Sequence, residues 1–178
     1  MEKYQLLVVD DNVALLNALV RLLRSPDYII HRASSASQGW EILAKQHGEI
    51  DLVISDNQMP GERGVDFLKS VKHHYPDTLR IMVTGNSSVR DVEICVNECE
   101  VYRFFTKPWD PDTLRETVRE GLRFKSIADA EYGRKPSIRA TDPVRSLEKH
   151  YPGITQVDRD SQGYVVLSSR FPTRVPIK

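Results

Sequence analysis

Leu6-Leu7-Val8-Val9-Asp10-Asp11 decides the fold: four apolar residues run without interruption into two carboxylates. Three more runs end in the same manner. Leu52-Val53-Ile54-Ser55 precedes Asp56, Ile81-Met82-Val83 precedes Thr84, and Phe104-Phe105-Thr106 precedes Lys107. Strands buried on both faces of a parallel sheet read as continuous apolar runs, and an open α/β sheet receives its ligands beyond the carboxyl ends of its strands. Three carboxylates, a hydroxyl and an ammonium are thereby brought to one rim. Mg²⁺ takes oxygen ligands and keeps several waters, so clustered Asp side chains suit it. An Asp carboxylate can also serve as a nucleophile toward phosphorus, with Lys107 and Thr84 meeting the charge on the transferred group.

Working outward, the chain alternates strand and helix five times. Strands are expected near 5–9, 28–33, 51–55, 79–83 and 101–106, and helices near 12–24, 36–47, 64–74, 88–98 and 111–130. Leu15, Leu16, Leu19, Leu22 and Leu23 recur at helical spacing and form a stripe for the sheet. Ser35 with Gln38 reads as a capping box, and Asp110-Pro111 as a helix start. Repeated βα units imply right-handed crossovers and a parallel sheet. Taken alone, each polar residue has a plainer reading: Asp11-Asn12 as a helix cap, Asp56 as a loop cap, Thr84-Gly85 as a turn. Their joint occurrence at strands one, three, four and five favours a site.

Length and composition fit one compact α/β domain with an appendage. The chain has 178 residues, 40% of them apolar, and no run approaches a membrane span. Its N-terminus enters a strand without a signal peptide, which predicts a cytoplasmic protein. Residues 1–129 carry 16 Lys/Arg against 20 Asp/Glu and residues 130–178 carry 9 against 5, too even a balance to argue for nucleic acid. Cys95 and Cys99, four apart, lack the companion ligands of a zinc site and read as small apolar residues on a helix face.

Half of the ten prolines fall in the last 49 residues. The reading is a domain over 1–129, a linker over 130–142 and a small extension over 143–178. That extension is expected to hold a short helix ending near Tyr151 and a β-hairpin turning at Asp160-Ser161-Gln162-Gly163. The hairpin's Ile154, Val157, Val165 and Leu167 need cover, because two strands alone are marginal in water. Self-association through paired hairpins is the expectation, with docking on the first domain as the runner-up.

Asp10-Asp11, Asp56 followed by Met59-Pro60-Gly61, Thr84-Gly85 and Phe104-Phe105-Thr106-Lys107-Pro108-Trp109 together resemble the receiver domain of two-component response regulators over about residues 1–128. The resemblance implies a flavodoxin-like five-stranded parallel sheet in the order 2-1-3-4-5, with helices on both faces. It implies that Asp56 accepts a phosphoryl group from a sensor histidine kinase and that Mg²⁺ is held by Asp11, Asp10, Asp56 and the Gln58 carbonyl. Lys107 would pair with the phosphoryl oxygens, Thr84 and Phe104 would act as switch residues, and Gln58 and Asn86 would tune phosphate lifetime. The stretch Arg103–Trp109 is similar to that of receivers joined to HD-type phosphodiesterases, but only His150 follows the domain, so no such output is expected here. No DNA-binding helix-turn-helix is legible either.

The expectation is a bacterial phosphorelay protein whose only catalysis is its own phosphorylation and dephosphorylation, and whose output partner is unknown. Two alternatives stand beside it. One is an aspartate phosphatase of the haloacid-dehalogenase kind, whose nucleophile would come from strand one in an Asp-x-Asp pattern that Asp10-Asp11-Asn12 does not supply. The other is an interaction module with a silent receiver, which would usually have lost one of these acidic residues or the lysine.

Overall fold

The computed structural model describes residues 3–47, 49–85 and 89–132. Asn86, residues 133–142 of the expected linker, and the expected short helix and hairpin lie outside the described residues, while 130–132, expected to open the linker, still belong to the last helix. Among the described residues ten elements alternate strictly: β1 Tyr4–Val9, α1 Val13–Leu22, β2 Tyr28–Ala33, α2 Ala36–Lys45, β3 Leu52–Ser55, α3 Gly64–His74, β4 Leu79–Thr84, α4 Val89–Asn97, β5 Arg103–Thr106 and α5 Pro111–Tyr132. All neighbouring strands pair in parallel, in the order β2-β1-β3-β4-β5. The parallel sheet is the one that the apolar runs imply, and its flavodoxin-like order is the one that the resemblance implies.

Each central strand serves two cores, because successive side chains point to opposite faces of a sheet. Leu6, Val8, Leu52, Ile54, Ile81 and Val83 pack under α1 and α5 with Leu16, Leu19, Leu114, Val118 and Leu122. Leu7, Val9, Val53 and Met82 turn the other way, against Leu43 of α2, Phe67 and Leu68 of α3, and Cys95 and Cys99. Burying a side chain such as Phe67 completely contributes about 1.5–3 kcal/mol. The two cysteines are fully buried, as their reading as small apolar residues requires, although Cys99 lies past the last residue of α4.

Helix ends differ from expectation for local reasons. Ser35 Oγ accepts from Gln38 N (3.2 Å), but the return bond of the capping box goes from Ser34 N to Gln38 Oε1 (2.7 Å), one residue early. α2 stops at Lys45 because His47 already takes the left-handed conformation (φ 49°). β5 begins at Arg103 rather than 101, since Glu100 (φ 47°) and Val101, whose N–H closes on Cys95 O (3.1 Å), are spent on ending α4. α5 starts as expected, with Asp110 Oδ1 accepting from Thr113 N at 2.8 Å and Pro111 in its first turn.

Candidate functional site

The parallel register brings the strand exits into line. Asp10 continues β1, donating its N–H to Ala33 O (3.1 Å), and Asp56 continues β3, donating to Val9 O (2.9 Å). Both side chains are almost wholly buried. Thr84 ends β4, fully buried, and its carbonyl accepts from Lys107 N at 2.7 Å. That bond fixes where the lysine leaves β5. The Lys107 ammonium then reaches back to Asp10 Oδ2 (2.8 Å) and Asp56 Oδ1 (3.0 Å).

The helix cap falls on Asn12 and not on Asp11. Asn12 caps α1, accepting from Ala14 N (3.0 Å) and Leu15 N (3.2 Å), so the exposed Asp11 carboxylate is not spent on the helix. Asp10 uses both oxygens, Oδ1 for Asn12 N (2.8 Å) and Oδ2 for Lys107, which leaves it poorly disposed as a strand-one nucleophile. Asp56 Oδ2 accepts from Gln58 N (3.1 Å). Its Oδ1 is buried and accepts no directed hydrogen bond, the ammonium being close enough to attract but aimed at Asp10. A buried acceptor without a donor is costly. Here it marks the oxygen left for a cation or an electrophile.

Burial raises the Asp56 carboxyl above its ordinary value, Lys107 opposes that rise, and the Asp10 charge adds to it. Burial alone would lower the Lys107 ammonium, but its hydrogen bond to Asp10 and the charges of Asp10 and Asp56 outweigh it and the group is raised. Oxygens of Asp10, Asp11 and Asp56 all lie within 4.8 Å of one another. An all-oxygen set of three carboxylates beside one ammonium, with an orphaned buried oxygen, fits a hard cation such as Mg²⁺.

The remaining expected residues are placed as follows. Gln58 is exposed at the mouth of the site and half-buried Phe104 packs against the α2–α4 core, while Asn86 lies outside the described residues. Sequence reading missed Gly64 and Asn57. A Cβ on Gly64 would stand 1.9 Å from the Asp56 carbonyl oxygen, so only glycine lets α3 begin against the Asp56 loop. Asn57 receives both ends of that approach, its carbonyl from Gly64 N (3.0 Å) and its Oδ1 from Val65 N (3.2 Å). The available signal was the asparagine directly after Asp56, a capping residue with no helix start beside it.

Response regulator receiver domains match this chain over residues 6–119. The chain belongs to the response regulator receiver family. This receiver is 34% identical over 155 residues to the hydrogenase transcriptional regulatory protein HoxA of Bradyrhizobium diazoefficiens, covering 86% of this chain and 30% of HoxA. It is 33% identical over 146 residues to the HoxA of Cupriavidus necator, covering 80% of this chain and 30% of that protein. The chain thus spans about a third of the curated relatives it matches. Among solved structures, the signal receiver domain of an HD domain-containing protein from Pseudomonas fluorescens superposes with a TM-score of 0.67 at 33% identity, covering 71% of this receiver and 99% of that chain. A CheY-like receiver from Methanospirillum hungatei gives 0.65 at 27%, with 71% and 99% covered.

Proposed function

We propose that this receiver accepts a phosphoryl group on Asp56 from the phosphohistidine of a sensor histidine kinase, in the cytoplasm and in the presence of Mg²⁺. The observation that carries the proposal is the Asp56 carboxylate itself. It is buried at the exit of the central strand, held on one oxygen by Gln58 N, unbonded on the other, and flanked by Asp10, Asp11 and Lys107. In the transfer an Asp56 oxygen forms the new O–P bond while the kinase's N–P bond breaks, and the imidazole leaves with the electron pair. Asp10, Asp11, Asp56 and the Gln58 carbonyl would hold Mg²⁺, which when bound supplies positive charge against the phosphoryl oxygens.

Lys107 stands between the two buried carboxylates, and its ammonium can turn to the incoming phosphoryl oxygens without leaving the site. Thr84, at the end of the neighbouring strand, would turn its hydroxyl to the new anion. Phe104 pairs with Met82 one turn of the pleat earlier, and its half-buried ring is the side chain to respond when Thr84 moves. The acyl phosphate adds about −1.5 to −2 charges, which biases an existing equilibrium and alters partner choice or self-association. Residues 130–142 as a linker and 143–178 as a small extension complete the proposal, with paired hairpins around Ile154, Val157, Val165 and Leu167 as the self-association surface.

Incubation with acetyl phosphate and Mg²⁺, followed by borohydride trapping and mass spectrometry, tests the acceptor. Label is expected on Asp56 alone. Wild-type labelling of an Asp56→Asn protein would refute the assignment.

A further inference from the structure

The two ends of α4 are held differently. Past its C-terminal end, the buried Arg80 guanidinium donates Nε–H to Cys99 O (2.8 Å) and Nη2–H to Glu100 O (3.3 Å), while Nη1 serves the Thr78 and Pro76 carbonyls. Two ion pairs from α3 add to this, Lys69 with Glu98 (2.5 Å) and Lys72 with Glu100 (2.5 Å), and Cys99 Sγ donates to Val65 O (3.2 Å). That end is anchored to the sheet and to α3 at once.

The N-terminal end has a different connection. Asp91, in the first turn of α4 and mostly buried, pairs with Arg63. Arg63 is the last residue of the loop that starts at Asp56, and it occupies the N-cap position of α3. The next residue is Gly64, which has no slack against the Asp56 carbonyl. A displacement of the Asp56 loop is therefore passed to Arg63 and, through a charge-assisted hydrogen bond, to Asp91.

We propose that the Arg63–Asp91 pair is the link through which a phosphoryl group on Asp56 acts on α4, with the Arg80 anchorage as the pivot. The inference rests on Asp56 being the acceptor. Arg63 and Asp91 are positioning residues, and neither touches the reacting atoms. Force applied at one end of a helix whose other end is fixed tilts it. A half-exposed ion pair of this kind carries a coupling of about two- to fivefold in an equilibrium constant.

Hydrogen exchange of the α4 amides in the full chain, with and without beryllofluoride and Mg²⁺, reads the link directly. The wild type is expected to change protection across α4 on adding beryllofluoride. In Arg63→Ala and Asp91→Asn that change should shrink about two- to fivefold, and the charge swap Arg63→Asp with Asp91→Arg should restore it. Arg80→Met should speed exchange at the C-terminal end of α4 whether or not beryllofluoride is present. A merely structural ion pair would lower the thermal midpoint and leave the beryllofluoride response intact. Acetyl phosphate labelling of the same proteins separates the two readings. If Asp56 is labelled but the single variants respond as wild type, or the swap does not recover the response, the link is overturned. If wild-type Asp56 is not labelled, the acceptor assignment fails and the link falls with it.

Discussion

Two lysines of this receiver sit between carboxylates at opposite ends of one sheet. Lys107, at the carboxyl rim, stands 2.8 and 3.0 Å from Asp10 and Asp56. Lys125, at the foot, stands 3.6 and 3.5 Å from Asp51 and Asp129. Both ammonium groups are largely buried, so burial of an ion pair does not by itself make a site. What differs is the surplus. The rim adds Asp11, exposed and near enough for three carboxylates to share one cation, and among the described residues the foot offers no matching group of three. At the foot the cation is built in, carried on α5 and locked by the Gln5 N–H that also binds Asp51 (2.8 Å). At the foot the Lys125 ammonium is itself the cation that Asp51 and Asp129 share, whereas at the rim three carboxylate oxygens lie close enough together to take a further one.

The sharpest way to break the comparison is to remove one carboxylate from each end. Asp56→Asn should abolish acetyl phosphate labelling, while Asp51→Asn should leave it within experimental error, both read by mass spectrometry. If the foot variant also lost labelling, the two ends would not be independent. Next in size is Gly64→Ala, which forces a methyl into the Asp56 carbonyl. It should cost about 1–3 kcal/mol in urea unfolding and slow labelling as well.

Lys125→Met should come third. It leaves Asp51 and Asp129 without their cation, but both retain about a quarter of their exposure, so about 1–2 kcal/mol is expected rather than the full cost of an orphaned buried charge. Urea denaturation measures the loss, and the labelling rate should not change. The smallest effect is a pH slope. Burial holds the Asp51 and Asp77 carboxyls above their ordinary values against the pull of Lys125. The folded protein therefore binds these protons more tightly than the unfolded chain. Their contribution to stability is fully present below the ordinary Asp range and is lost as pH rises through the raised folded values. Asp51→Asn should flatten that fall in denaturation curves taken at stepped pH.

The rim was legible in the sequence because a strand exit is a one-dimensional signal: Val9 then Asp10, Ser55 then Asp56, Thr106 then Lys107. The sheet order needed the family resemblance, since the apolar runs alone do not rank the strands. Gly64 was not legible, because its constraint is a carbonyl eight residues earlier that becomes its neighbour only once α3 packs down. Arg80 carries no signal in isolation, and only the fold brings four carbonyls around it. The capping box slipped to Ser34 and α2 ended at His47 because backbone angles, rather than residue type, decided those termini.

The division of each strand between two cores has a consequence for how this protein can change over time. Inserting or deleting one residue within β3 would exchange Val53 with Ile54, sending each into the wrong core, and would also withdraw Asp56 from the rim. Reading frame within the strand, foldability and chemistry are therefore lost together. Divergence among such proteins must run through substitution in the strands and through length variation in the loops, so a lineage that keeps the sheet keeps Asp56 at the rim by the same constraint.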